Sequence, residues 1–396
     1  MAYKTIDDLD LGGKRVFIRV DFNVPLDKET GKEITSDTRI RAAVPTIERA
    51  LEKGAAVILA SHLGRPKGQR NSKMELGPVA VRLAELVGRP VKMASDCVGA
   101  KVEADAAAMK AGDVLLLENL RFHAGEEKND PEFAKQLAAL CDVYVNDAFG
   151  AAHRAHGSTA GIVGHVTEVA AGLLMQKELK YLAMAVSNPE HPYVAIVGGA
   201  KISGKIDVIE NFLKVADKVL IGGAMTYTFL KAKGLDVGGS LVEEEKLGLA
   251  QETIAAAGDK LMLPTDHVIA SAFSAEAETR TCGVDEAVPQ GWMGLDIGPD
   301  TIAAYEAQIA GAKMIVWNGP MGVFEMDPFA PGTLAVAHGV AASAAVSIVG
   351  GGDSEKAIQK AGVGEGISHV STGGGASLEF LAGKELPGVA ALEQRG

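Results

Sequence analysis

A chain of 396 residues, 47% hydrophobic and 23% charged, is longer than one hydrophobic core ordinarily serves, and its composition is that of a soluble globular protein rather than a disordered one. No apolar run reaches the roughly 18 residues that span a bilayer, and the first residues form neither a signal-peptide core nor a basic transit helix. A net charge of −12 argues against nucleic acid as a partner, no membrane partner is expected, and three widely spaced cysteines, in no metal-ligand spacing, fit a reducing cytoplasm.

Short β-branched runs alternate with Ala/Leu/Lys/Glu-rich stretches along the chain, a pattern that predicts parallel α/β architecture. The first half has predicted strands at Arg15–Asp21, Ala55–Ala60, Val114–Glu118 and Asp142–Asn146. These run into Asp21-Phe22-Asn23, Ser61-His62-Leu63-Gly64-Arg65, Glu118-Asn119-Leu120-Arg121 and Asn146-Asp147-Ala148-Phe149-Gly150. Next, Glu168–Val186 carries apolar residues close to helical spacing and stops at Pro189 and Pro192, which predicts a linking helix and hinge over 171–190. It separates an N-terminal domain, 1–170, from a C-terminal one, 191–383. The second half has predicted strands at Tyr193–Val197, Lys218–Ile221, Lys313–Trp317, Ser347–Val349 and Ser368–Ser371. Each runs into glycines or into Trp317-Asn318-Gly319-Pro320. The expected fold is therefore two parallel-sheet, Rossmann-like domains joined by a helix and hinge, with an interdomain cleft.

Ligands of open parallel sheets bind at the carboxyl ends of the strands, and here the two sets of strand ends differ in chemistry. All arginines except Arg280 and Arg395 fall in the first 154 residues. Arg39, Arg65, Arg121 and Arg154, with His62, sit in or beside the first-half loops, and guanidinium groups match carboxylate and phosphate geometry in a fork. Together they suit a small phosphorylated acid, with Asp21 and Asn23 placed to bond a hydroxyl. Taken singly, each arginine reads equally well as a solvated charge or half of an ion pair. In the second half, Gly198–Lys205 nearly matches a P-loop, but Ile206 stands where that chemistry needs a hydroxyl for magnesium. Its glycines still let backbone N–H groups approach phosphate, and Lys201 and Lys205 supply charge. Gly350-Gly351-Gly352-Asp353-Ser354 and Thr372-Gly373-Gly374-Gly375 repeat the device before helical stretches at Glu355–Ala361 and Ala376–Leu381, with Asp353 placed to hold Mg2+.

In this order, Arg19-Val20-Asp21-Phe22-Asn23-Val24-Pro25, Ser61–Pro66, Leu117–Phe122, Asn146–His156, Val197–Lys201, Trp317–Glu325, Gly350–Ser354 and Ser371–Gly375 resemble the motifs of phosphoglycerate kinases, from about Leu9 to Glu393. The resemblance implies that Asp21, Phe22, Asn23, Arg39, His62, Leu63, Gly64, Arg65, Arg121 and Arg154 hold 3-phosphoglycerate or 1,3-bisphosphoglycerate. It implies that Lys201, Lys205, Asn318, Glu325, Gly350, Gly351, Gly352, Asp353 and Ser354 serve ATP or ADP, with Asp353 near Mg2+. It also implies a C-terminal return, 384–396, to the N-terminal domain, a monomer, and a role in glycolysis and gluconeogenesis.

The implied reaction is reversible transfer between 1,3-bisphosphoglycerate and ADP, giving 3-phosphoglycerate and ATP. In the ATP-consuming direction the nucleophile is a carboxylate, ionised at neutral pH, so no general base is needed. Arg39, Lys201, Lys205 and the helix start at Gly374 are the expected catalytic groups, acting by position and charge. A substrate on each domain calls for hinge closure. A P-loop NTPase and a dinucleotide oxidoreductase are the competing enzyme classes. Ile206 speaks against the first, and the second leaves the arginines unexplained and lacks the Gly-x-Gly-x-x-Gly pattern after a strand.

Overall fold

The computed structural model describes residues 3–27, 31 and 33–395. Met1, Ala2 and Gly396, at the ends of the expected segments, lie outside the described residues. The chain divides into two compact units, Met1–Lys180 with Glu385–Gly396, and Tyr181–Lys384.

The first unit is built on six parallel strands: β1 (Arg15–Arg19), β2 (Ala56–Ala60), β3 (Lys92–Met93), β4 (Val114–Leu116), β5 (Val143–Asn146) and β6 (Glu168–Ala171). Their spatial order is β3-β4-β2-β1-β5-β6. β1 pairs in register with β2, Arg15 opposite Ala56 and Arg19 opposite Ala60, and with β5 on its other side. Every residue of β2, β4 and β5 is buried, as strands covered on both faces require. Val16, Ile18, Val57, Leu59 and Val145 fill one face of the core. The chain moves from β1 towards β2 and later returns to β5 on the opposite side, so the sheet has its switch point between β1 and β5, where a ligand crevice belongs.

The expected helix at Glu168 starts later. Residues Glu168–Ala171 pair with β5, and the helix runs Leu173–Ser187. The side chain of Asp147 accepts from the backbone N–H groups of Leu174 (2.9 Å) and Met175 (3.1 Å), and Thr46 Oγ1 accepts from Leu173 (3.0 Å). An open sheet edge and two side-chain caps, all remote in sequence, overrule the local helical pattern. The last helix, Pro387–Glu393, belongs to this unit: Gly388 N–H donates to the Ala152 carbonyl (2.8 Å), and Arg395 donates to that of Val166 (2.8 Å).

The second unit has a six-stranded parallel sheet and a smaller antiparallel one. Its strands are β7 (Tyr193–Val197), β8 (Lys218–Ile221), β9 (Leu261–Met262), β10 (Asp266–Ala270), β11 (Thr279–Gly283), β12 (Met293–Ile297), β13 (Met314–Asn318), β14 (Val346–Gly350) and β15 (His369–Ser371). The large sheet is ordered β15-β14-β13-β7-β8-β9, with its switch point between β7 and β13, and the small one is β11-β10-β12. Nothing in the sequence reading anticipated β10–β12. Trp317, fully buried in β13, anchors the core with Ile196, Ile315 and Val349.

Candidate active site

Asp21, at the carboxyl end of β1, is the hub of the arginine-rich face. Its Oδ2 accepts from Arg39 (2.7 Å), which stands in the first turn of the helix Thr38–Glu52, and its Oδ1 accepts from Asn23 N–H (3.1 Å). Burial acts to raise the Asp21 pKa, but the charges of Arg39 and Arg19 outweigh it and leave it below the usual carboxylate value. Asn23 Oδ1 in turn accepts from Gly64 N–H (2.8 Å), and the Gly64 carbonyl accepts from Arg121 (3.0 Å). Gly64 is required here: its φ is +64°, and a Cβ would lie 2.8 Å from Met74 Sδ. The loops after β1, β2 and β4 are thus stitched into one surface bearing Asp21, Asn23, Arg39, His62 and Arg121.

Below this surface lies a buried network that sequence reasoning missed. Arg19, wholly buried, donates to Ser158 Oγ (2.7 Å) and contacts His62 Nδ1 (3.2 Å). Ser158 is held by the buried Glu126, through its N–H (2.9 Å) and its hydroxyl (2.6 Å). A guanidinium cannot accept, so His62 Nδ1 accepts and its proton resides on Nε2. Burial lowers the His62 pKa well below its ordinary value, and neighbouring arginines add to this, so the ring is neutral. The Arg121 pKa is lowered to about 10 by burial and by Arg19, which leaves it charged at neutral pH. A charged residue inside the otherwise apolar run Val16–Val20 was the available signal for Arg19.

The other predicted residues divide. Arg65 is exposed and forms no hydrogen bond or ion pair among the described residues, and Arg154, half-buried, donates to His153 (3.1 Å). Phe22 and Leu63 turn their side chains into the core, the Phe22 N–H is committed to Ser61 Oγ (2.8 Å), and the Leu63 carbonyl accepts from Asn119 (2.7 Å), so a ligand would meet them through other backbone groups. Apolar side chains beside a polar loop gain more from burial than from facing an anion.

In the second unit the loops after β7, β8, β13 and β14 converge on a pocket of about 480 Å³, lined in part by Gly199, Gly223, Tyr227, Leu295, Met321 and Asp353. The backbones approach closely: the Gly198 N–H donates to the Asn318 carbonyl (2.9 Å), and a Cβ on Gly198 would lie 2.1 Å from the Pro320 carbonyl oxygen. Lys205, just before the helix Ile206–Val215, donates to Asn318 Oδ1, whereas Lys201 is exposed. Burial lowers the Lys205 pKa to about 8, with Asp353 acting to raise it. Asn318 is buried, and its Nδ2 has no partner among the described residues.

Gly350, Gly351 and Gly352 lead from β14 into the helix Gly352–Ala361, whose first turn carries Asp353, paired with Lys356 (2.9 Å). Ser354 faces inward: the residue is fully buried, and its hydroxyl accepts from Gly319 N–H (2.7 Å). Glu325 is exposed at the pocket rim. Gly374 precedes the short helix Gly375–Leu381. The pocket wall also contains residues the sequence reading did not single out. Thr226 Oγ1, both ring nitrogens of His267, and Asp296 Oδ1 are buried without a hydrogen-bond partner among the described residues.

An apolar pocket ringed by glycine loops and carboxylates suits a nucleotide, and the first unit's face suits a small polyanion. Among the described residues no helix is long and apolar enough to cross a membrane. The family model for phosphoglycerate kinase matches residues 6–384. The phosphoglycerate kinase of Solibacter usitatus is 64% identical over the full length of both chains, and that of Moorella thermoacetica is 59% identical, again over both full lengths. Among solved structures, the phosphoglycerate kinase of Coxiella burnetii superimposes with a TM-score of 0.90 at 42% identity, and that of Pyrococcus horikoshii with 0.87 at 34%, each covering 99% of both chains. With matches of this length agreeing with both sets of strand-end loops, the chain belongs to the phosphoglycerate kinase family, the glycolytic phosphotransferases that move a phosphoryl group between 1,3-bisphosphoglycerate and ADP.

Proposed function

We propose that 3-phosphoglycerate, or its acyl phosphate, is held by Asp21, Asn23, Arg39, His62, Arg65, Arg121 and Arg154. ATP or ADP takes the 480 Å³ pocket, with its phosphates on Lys201, Lys205 and the Gly350–Asp353 loop. The observation that carries the reading is the chain of contacts from Arg39 through Asp21, Asn23 and Gly64 to Arg121, which holds cationic groups from separate loops at one sheet edge. His62 offers an Nε2–H donor, and the exposed Arg65 is available to an anion without breaking an internal pair.

The nucleophile in the ATP-consuming direction is the substrate's own carboxylate, so the protein has to position two polyanions and offset their repulsion. At 4 Å, two unit charges repel by about 4 kcal/mol at an effective dielectric near 20. Arg39, Lys201 and Lys205, with the backbone at Gly374, supply the opposing charge. Asp353 fits a magnesium ion: its carboxylate is well exposed, at a helix start that also lines the nucleotide pocket, and Mg2+ is typically bound by one or two carboxylates together with substrate phosphates. When bound, the ion would neutralise phosphate charge.

Because the two sets of ligands lie on different units, transfer requires the units to approach by hinge closure around 171–190, excluding water that would hydrolyse the acyl phosphate. The protein is read as a cytoplasmic monomer. Calorimetry with Arg121→Ala tests the assignment: 3-phosphoglycerate binding should fall while ADP binding persists, and unchanged 3-phosphoglycerate affinity would remove this face from the site. Small-angle scattering with both substrates bound tests closure, and no compaction would contradict it.

A further inference from the structure

Asp96, Cys97 and His123 belong to neither of the ligand sites above. Folding nevertheless brings one ligand atom from each within 4.8 Å of the others. Asp96 and Cys97 occupy the loop beyond β3, whose position is fixed where the Asp96 carbonyl accepts from Glu118 N–H (3.4 Å). His123 follows the turn Leu120–Phe122, and its ring is stacked on Phe133, with centroids 5.5 Å apart and planes at 27°. The Asp96 Oδ1 accepts from Cys97 N–H (2.7 Å) and lies 2.6 Å from His123 Nε2.

The three side chains are graded in exposure. Cys97 is wholly buried, whereas the side chains of His123 and Asp96 are 32% and 43% exposed. The thiol is thus buried behind an imidazole and a carboxylate that both reach solvent. The carboxylates of Asp96 and Glu126 make the surroundings of the sulfur anionic, a setting that favours a bound cation. Arg70 is the opposing charge, and it is engaged by Glu75 (3.0 Å), Glu118 (3.6 Å) and the Ser95 carbonyl (3.0 Å).

We propose that Asp96, Cys97 and His123 form a binding site for a tetrahedral, thiolate-accepting divalent cation of the Zn2+ type, with water as its fourth ligand. Sulfur, nitrogen and oxygen ligands at roughly 2.0–2.3 Å in tetrahedral array stand about 3.3–3.8 Å apart, so the site forms when the 2.6 Å Asp96–His123 contact opens to that spacing and the sulfur, within 4.8 Å of both, takes its place beside them. The stacked His123 ring and the Asp96 backbone bond are the kind of outer contacts that orient ligands. Mg2+, which demands octahedral oxygen coordination, is a poor competitor here, so the site stays distinct from the nucleotide's metal. The cation would sit beside the turn that carries Arg121.

The test is a titration of the full-length protein with Co2+ in excess Mg2+, following the thiolate-to-cobalt charge-transfer absorption and the visible bands of tetrahedral cobalt. The proposal expects a saturable signal that is displaced by Zn2+ and abolished in Cys97→Ser. In His123→Gln, altered at a partly exposed side chain and therefore folded, affinity should fall by at least about 10-fold. No thiolate band in the unaltered protein overturns the proposal. So does a band that survives Cys97→Ser, which assigns it to Cys141 or Cys282, or undiminished affinity in His123→Gln. Because the readout needs neither substrate nor turnover, it is independent of the kinase reading.

Discussion

Arg19 and His62 are joined at 3.2 Å beneath the surface that bears Asp21 and Arg39, and the arginine can only be the donor. The contact therefore decides which imidazole nitrogen keeps its proton, and it leaves His62 a neutral donor through Nε2. The same guanidinium holds Ser158 (2.7 Å) and lies 4.0 Å from Glu126, so one buried cation orders both the imidazole and the loop around Ser158.

Removing that cation should be costly. Arg19→Met leaves the Glu126 carboxylate without its buried counter-charge, and breaking a buried pair in this way typically costs about 3–5 kcal/mol. Urea unfolding should show a loss of that order, together with a raised KM for 3-phosphoglycerate and a smaller change in KM for ATP. A loss below about 1 kcal/mol would mean that the network is not a structural unit.

Arg39→Ala should separate binding from turnover. Arg39 is paired with Asp21 and partly exposed, so its loss leaves the fold intact but removes charge from the transfer step. The expected result is a fall in kcat of about 100-fold or more, with ADP affinity by calorimetry unchanged. Near-normal turnover would take Arg39 out of the mechanism.

Lys205 should make nucleotide affinity pH-dependent. Its pKa is lowered to about 8, by burial above all, and bound phosphates favour the charged form. Below pH 8 the ammonium is already present and affinity is flat. Above it, binding must take up a proton, so ADP affinity should decline by at most about tenfold per pH unit. Lys205→Met should bind weakly with no such slope; a parallel decline in the variant would point to another group.

Asp296 and Asp147 should lower stability as pH rises. Burial raises each pKa to about 7, so both stay protonated in the folded protein where the unfolded chain has already ionised. The stability associated with these protons is complete below about pH 4 and is lost as pH rises through 7. Asp296→Asn, neutral throughout, should therefore gain on the parent between pH 4.5 and pH 8, by on the order of 1–3 kcal/mol in paired urea melts. A pH-independent difference would show that Asp296 is ionised in the fold.

Much of the site could be read before folding. The strand-end loops containing Asp21, His62, Arg121, Lys205 and Asp353 follow strands found within a few residues of their predicted limits, because continuous apolar runs flanked by glycine or polar loops are a local signal. Side-chain direction was not legible in the same way. The apolar side chains of Phe22 and Leu63 are drawn into the core, and the Ser354 hydroxyl serves Gly319, because burial and a partner remote in sequence decide both. The strand Glu168–Ala171 was read as helix because its partner, β5, supplies the deciding hydrogen bonds from far along the chain.

By itself, then, the sequence determined the alternation of strands and helices and which loops carry cationic or glycine-rich chemistry, since both are written in neighbouring residues. Only the tertiary structure decided that Arg19 fixes the His62 tautomer, that the helix after β6 starts at Leu173 under Asp147 and Thr46, and that Cys97 meets His123. Those outcomes depend on desolvation and on hydrogen bonds between groups remote in sequence, and both come into being only when the sheet closes over them.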